Sequence, residues 1–336
     1  MTGDCVGAQS GTNCLCPRER YLAPAMNAIF ASILPIFALI VVGVALKRVH
    51  LMDDAGWRGL DRLGFYVLYP TLLFVSIVKA DFSGIRVSVV MTAMIAAWLV
   101  VGFALQLTSG VLIRAGAIVR SQYSSIFQTT MRWNGFVALA VAQELFGQSS
   151  IAIVALVMAS MVVPINLVAI YVVAQYADAE TDLRRTTLAM VKNPIVLGCV
   201  FALLWRATGL TMPAPAMIAL DLVGRGALAI GLITVGAGLK PETLLRPQWA
   251  TALPVVLKLA IMPLVAVTIA RGFGISGIPL STIALCTAVP TAMNGYVVAR
   301  QMGGDAPLYA AVVTLQTVIS VVTIPIMLAL AATLGA

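Results

Sequence analysis

Runs of about 20 mostly apolar residues, separated by short polar connections, dominate the chain. They fall at roughly 27–46, 60–79, 88–113, 122–146, 150–175, 194–210, 216–239, 249–270, 280–300 and 307–333. A helix of that length covers about 30 Å of hydrocarbon and satisfies its own backbone hydrogen bonds there, whereas the period-2 alternation of a membrane β-barrel is absent. The pattern therefore predicts an all-α polytopic membrane protein with ten transmembrane helices. The longest polar connection, QYADAETDLRRTTLAMVKN (175–193), splits the spans into two sets of five. The expected organisation is a disordered N-terminal extension over 1–26, a five-helix unit over 27–175, a cytoplasmic linker over 176–193 and a second five-helix unit over 194–336.

Composition agrees with the bilayer as solvent. Hydrophobic residues make up 61% of the 336 and charged residues 10%, with a mean hydropathy of +1.01; soluble domains carry about 25% charged residues. In this setting the net charge of +8 reports orientation rather than an affinity for nucleic acid. Alternate connections collect twelve Lys and Arg residues, among them Lys47, Arg114, Arg184, Lys240 and Arg300. The opposite side has Arg18, Arg20, Lys79, Arg86, Arg206 and Arg271, with Arg225 near a span end. The positive-inside rule then puts the first side in the cytoplasm and both termini outside the inner membrane. The extension lacks the apolar core of a signal peptide. Its Cys5, Cys14 and Cys16 are a weak ligand set without a neighbouring His, and Cys199 and Cys286 read as small apolar packing residues.

Repeats change the picture. Asn134-Gly135-Phe136-Val137 recurs as Asn294-Gly295-Tyr296-Val297 at an offset of 160. Asp61 and Gly64 pair with Asp221 and Gly224 at the same offset; Pro35-Ile36 pairs with Pro194-Ile195 at 159, and Lys79 with Lys240 at 161. One five-helix unit has been duplicated, and because five is odd the second copy enters the membrane from the other side. Such inverted repeats are the architecture of secondary transporters, which place their substrate at the midplane where discontinuous helices meet.

The Asn-Gly pairs mark those discontinuities. Glycine costs about 1 kcal/mol in a helix relative to alanine, and Pro290 removes a backbone donor from the ninth span. Bare N–H groups at the starts of half-helices favour an anion, to which Asn134 and Asn294 add neutral donors and acceptors. The substrate-binding set read from the sequence is Asn134, Gly135, Pro290, Asn294, Gly295, Arg132, Lys258, Thr130 and Thr291. Each has a plainer reading beside it: kinks for the Asn-Gly pairs, helix-backbone bonds for the threonines, a pairing of Arg132 with Glu144, and a bond from Lys258 to freed carbonyls. Gln316 is a further polar span residue that could line the path. Asp221 and Arg225 stand at i, i+4 as a local pair, Pro70, Pro164 and Pro325 as kinks, and His50 as a solvated loop residue. No carboxylate flanks either Asn-Gly pair, which favours an organic anion over cation–proton exchange.

From about Met26 onward the chain resembles the auxin efflux carrier family, above all its bacterial malonate-transporter-like members. The resemblance is carried by ILPIFALIVVGVALKR, FYVLYPTLLF, KNPIVLG, LITVGAGLK, LKLAIMPL and AVPTAMNGYVVARQMGGD. It implies ten helices in two inverted repeats, a scaffold part and a transport part, crossing fourth and ninth helices, and export of organic anions by an elevator-like movement. Trp133 stands where plant members have a proline before the fourth-helix asparagine, and Gly295 where a ninth-helix proline is expected, so a small mono- or dicarboxylate fits better than auxin. No cofactor is called for; a coupling proton or sodium ion and a homodimer stay open. The other classes are an intramembrane prenyl or acyl transferase, which would need acidic metal ligands or a catalytic His, and an anion channel.

Overall fold

The protein is described by a computed structural model that covers residues 17–80, 82, 86–177, 194–245 and 249–335. Every regular element among them is helical. Besides a short 3-10 helix at Pro241–Leu245, these are in chain order α1 (Pro17–Arg48), α2 (Asp54–Lys79), α3 (Val87–Arg114), α4 (Arg120–Met131), α5 (Gly135–Phe146), α6 (Gln148–Ala177), α7 (Pro194–Ala207), α8 (Ala214–Gly238), α9 (Trp249–Gly272), α10 (Gly277–Ala288), α11 (Gly295–Gln301) and α12 (Ala306–Gly335). Seven of them are long and apolar enough to cross a membrane, and α7 and α10 are shorter apolar helices. Helix α1 begins ten residues before the sequence boundary at 27. The first sixteen residues and nearly all of the 176–193 linker lie outside the described residues.

Two helices carry π-turns beside a proline. In α2 the turn Gly64–Leu68 precedes Pro70, and in α9 the turn Leu257–Ile261 lies between Pro254 and Pro263. Proline cannot donate to the residue four positions back, and widening the preceding turn keeps the helix going. The Tyr69 N–H thus reaches Gly64, and that of Met262 reaches Leu257. Pro164 and Pro325 lie inside α6 and α12.

The helices form two packing groups. One joins α1 to α8, α2 to α7 and α2 to α8; the other joins α10 to α12, α9 to α10, α4 to α6, α3 to α9 and α5 to α6. Each group draws on both halves of the chain. In the first, the backbones of α1 and α8 touch at glycines: a methyl on Gly43 would strike the Ile233 carbonyl, and one on Gly236 the Ile40 carbonyl. Small residues that let backbones approach are what van der Waals packing between membrane helices requires, since lipid supplies no hydrophobic drive between them. Arg206, ending α7, donates to the carbonyls of Ile77, Val78 and Ala80 at 3.1, 3.1 and 2.7 Å, closing the C-terminus of α2 with a cation. Asp221 pairs with Arg225, as the i, i+4 spacing predicts, and also with Lys79 of α2 at 3.0 Å. Outward, α3 presents Phe103, Leu107 and Val111, each about two-thirds exposed, which is the surface a lipid-facing helix offers.

Candidate functional site

Both Asn-Gly pairs break helices. Helix α4 stops at Met131 because Arg132 turns extended (φ −75°, ψ 157°), and α5 restarts at Gly135. Asn134 is the N-cap of the restart: its Oδ1 accepts from the N–H groups of Phe136 at 3.1 Å and Val137 at 3.3 Å. Asparagine is among the best N-caps because its side chain satisfies amides that the first helical turn leaves open. The amides expected to stand bare at this half-helix start are therefore partly claimed by Asn134 itself. In the second break, α10 stops at Ala288, Val289 is extended, Pro290 has no N–H to continue the helix, and α11 begins at Gly295.

The two breaks touch. The Asn134 N–H donates to the Pro290 carbonyl at 2.8 Å, a bond spanning 156 residues of sequence. Gln316 of α12, fully buried, fastens the crossing from a third side. Its Oε1 accepts from the Thr291 N–H at 2.8 Å, and its Nε2 donates to the carbonyls of Thr129 at 3.2 Å and Pro254 at 3.1 Å. Trp98 of α3 donates its indole N–H to the Met131 carbonyl at 3.3 Å, and Tyr309 of α12 donates to the Ala292 carbonyl at 2.6 Å. Backbone groups released by broken helices must be satisfied at membrane depth, and here side chains of α3 and α12 do it.

The predicted residues separate into those that meet and those that do not. Arg132, Asn134, Gly135, Pro290 and Thr291 lie at the crossing. Thr130 is beside them, but its hydroxyl donates to the Ile126 carbonyl of its own helix at 2.9 Å. Asn294 is exposed, and its side chain makes no capping bond to α11. Gly295 is buried against the Tyr309 ring. Lys258, 2% exposed, shares a cavity of about 20 Å³ with Met131, Trp133 and with Cys286 and Thr287 in the last turn of α10. A cation there complements the negative end of that helix.

Arg132 does not pair with Glu144, which is exposed in a cleft between α5 and the first packing group. It is 3% exposed, and its Nη1 donates to Oδ1 of Asn166 on α6 at 2.7 Å. Asn166 is held in turn by its own donation to the Val162 carbonyl at 2.7 Å. Nε and Nη2 of Arg132 have no partner, nor does either polar atom of the Gln128 side chain, which is fully buried. Each buried donor left without a partner costs about 1–3 kcal/mol. Among the described residues no carboxylate pairs with Arg132 or Lys258, and no cluster of three His, Cys, Asp or Glu could hold a metal ion.

Asn166 and Gln128 were not singled out from the sequence. The one local hint at Asn166 is Pro164, two residues before it. Also unforeseen is the stack of Tyr69 on Phe136, with ring centroids 3.7 Å apart and planes 14° from parallel, which sets α2 against the first turn after the Asn134 break. The Tyr69 hydroxyl lies where Gly231 of α8 has no side chain. The cleft beyond, about 470 Å³, is lined by α1, α2, α5 and α8, including Gln143, Glu144, Asp221 and Arg225.

Long apolar helices, two of them interrupted where their breaks touch, define an integral membrane protein. The chain belongs to the membrane transport protein family, that of the auxin efflux carriers, whose sequence model matches residues 28–328. It is similar to an uncharacterized transporter of Methanothermobacter thermautotrophicus, 23% identical over 305 residues that cover 88% of this chain and 96% of that one.

Proposed function

We propose that this transporter is a secondary active carrier that moves a small organic anion, a mono- or dicarboxylate of the malonate kind, across the cytoplasmic membrane by alternating access. The observation that carries the reading is the hydrogen bond from Asn134 to Pro290, which joins two helix breaks lying at one position of the sequence repeat. Counting α4 with α5 and α10 with α11 as single interrupted spans gives ten, five before and five after the linker, which supports two five-helix units of opposite orientation. On this reading the group of α1, α2, α7 and α8 is the scaffold and the other group carries the substrate past it in an elevator-like movement. The charge asymmetry of the connections supports an orientation with both termini outside.

Buried cations support an anion: Arg132 lies at the meeting of the breaks and Lys258 in the cavity beside Met131 and Trp133, and no carboxylate pairs with either among the described residues. The test is uptake of labelled malonate, and of a panel of small carboxylates, into proteoliposomes under imposed proton, sodium or voltage gradients. Saturable uptake with counterflow is expected. Flux that never saturates would make the protein a channel, and chemical turnover of a lipid-linked substrate in detergent would make it an enzyme.

A further inference from the structure

The half-helix argument places an anion at the start of α5, yet two amides of that turn are already bonded to Asn134 Oδ1. The unclaimed donors lie on the other side of the break, in the last turn of α4 and at Arg132, which ends it. Arg132 keeps Nε and Nη2 free while Asn166 fixes Nη1, and these two N–H groups form the side-on edge of the guanidinium, which matches the two oxygens of a carboxylate. Gln128 stands one turn earlier, and its backbone carbonyl accepts from the N–H of Arg132, the residue that ends α4, at 2.9 Å. Its carboxamide is fully buried with nitrogen and oxygen unpartnered. A guanidinium at this depth, bonded to one neutral amide and to no carboxylate, lacks a counter-charge among the described residues.

We infer that Gln128 and Arg132 form the carboxylate seat of the transporter, with Arg132 Nε and Nη2 gripping the two oxygens and Gln128 Nε2 as a third donor. The inference rests on the transport reading above and locates the anion within it: the substrate is held by side chains at the C-terminal end of α4, and Asn134 shapes the break. Both seat residues are sealed from solvent in this conformation, so the substrate reaches them when the crossing opens. The seat belongs to the first half of the chain alone. At the repeat offsets of 160 and 161, Gln128, Arg132 and Asn166 correspond to Ala288, Ala292 and Met327.

The test uses the full chain in proteoliposomes with malonate as probe, each variant checked for melting temperature and monodispersity. Gln128→Glu sets a carboxylate one turn from Arg132 and fills the seat from within; it is expected to fold, to melt at or above the wild-type temperature, and to lose malonate uptake. Gln128→Leu and Arg132→Lys, the second keeping the charge but not the fork, should each raise the malonate KM about tenfold or more with Vmax within about twofold. A purely structural role would move melting without this split between KM and Vmax. Should Gln128→Glu fail to fold, the other two variants decide. Wild-type KM in folded Gln128→Glu, or in both Gln128→Leu and Arg132→Lys, overturns the seat while Asn134→Ala still reports on the crossing. Chloride that protects against thermal unfolding as well as malonate does would make it an inorganic-anion site and overturn the carboxylate assignment. Absence of saturable uptake for every carboxylate in the wild type removes the seat and the transport reading together.

Discussion

The two helix breaks share a dipeptide and differ in almost everything around it. At the first, Asn134 is buried, caps α5 through its side chain, and sits among polar groups of the transmembrane interior: Arg132, Gln128 and Asn166. At the second, Asn294 is exposed and caps nothing, and the chain is fixed instead from α12 by Gln316 and Tyr309. One repeat position has thus been given two tasks. The first half keeps donors to spare beside its break, and the second supplies the clamp that holds the crossing together. The Asn-Gly dipeptide marks where helices break, and the side chains around it decide what each break does.

That contrast can be broken by substitution. The largest effect is expected for Gln316→Leu, which strips partners from the Thr291 N–H and from the Thr129 and Pro254 carbonyls in a dry interior. At about 1 kcal/mol or more for each orphaned group, we predict a loss of roughly 3 kcal/mol, seen as a large fall in melting temperature, with uptake abolished. Next come the glycines. In Gly295→Ala the new methyl meets the Tyr309 ring and hydroxyl, a group already bonded to Ala292, so a cost of about 1–3 kcal/mol is expected. Gly135→Ala meets only the end of the Met158 side chain, which can swing aside, and should cost clearly less. Equal melting temperatures for the two alanines would mean that the clamp is not confined to the second break.

A smaller effect is expected at the caps. Asn134→Ala removes the α5 cap and should cost about 1 kcal/mol of stability, most of it recovered in Asn134→Ser, with transport depressed in the alanine variant. Asn294→Ala, at an exposed position without a capping bond, should change stability by no more than about 0.5 kcal/mol. On the proposed function it should still depress transport. Unchanged kinetics there would leave the second asparagine without a place in the substrate path.

The breaks themselves were legible in the sequence, because Gly and Pro act on the backbone locally and the repeat made the coincidence visible. The apolar runs matched the helices to within about three residues, apart from the early starts of α1 and of α2, whose first turns are polar. What could not be read is who satisfies whom. Gln316 reaches Thr129 across 187 positions and Arg132 reaches Asn166 across 34, and no periodicity encodes such pairings. One signal was available and carried the opposite message. An asparagine directly before a helical restart is an N-cap pattern, so the amides of α5 should have been expected to be partly occupied rather than open to an anion.

The glycine contacts between α1 and α8 have a consequence for assembly. A surface that closes by mutual fit, Gly43 on Ile233 and Gly236 on Ile40, needs no covalent tether to find its mate. Because one side of that seam comes from each half of the chain, the two halves made as separate polypeptides are expected to dock and to co-purify.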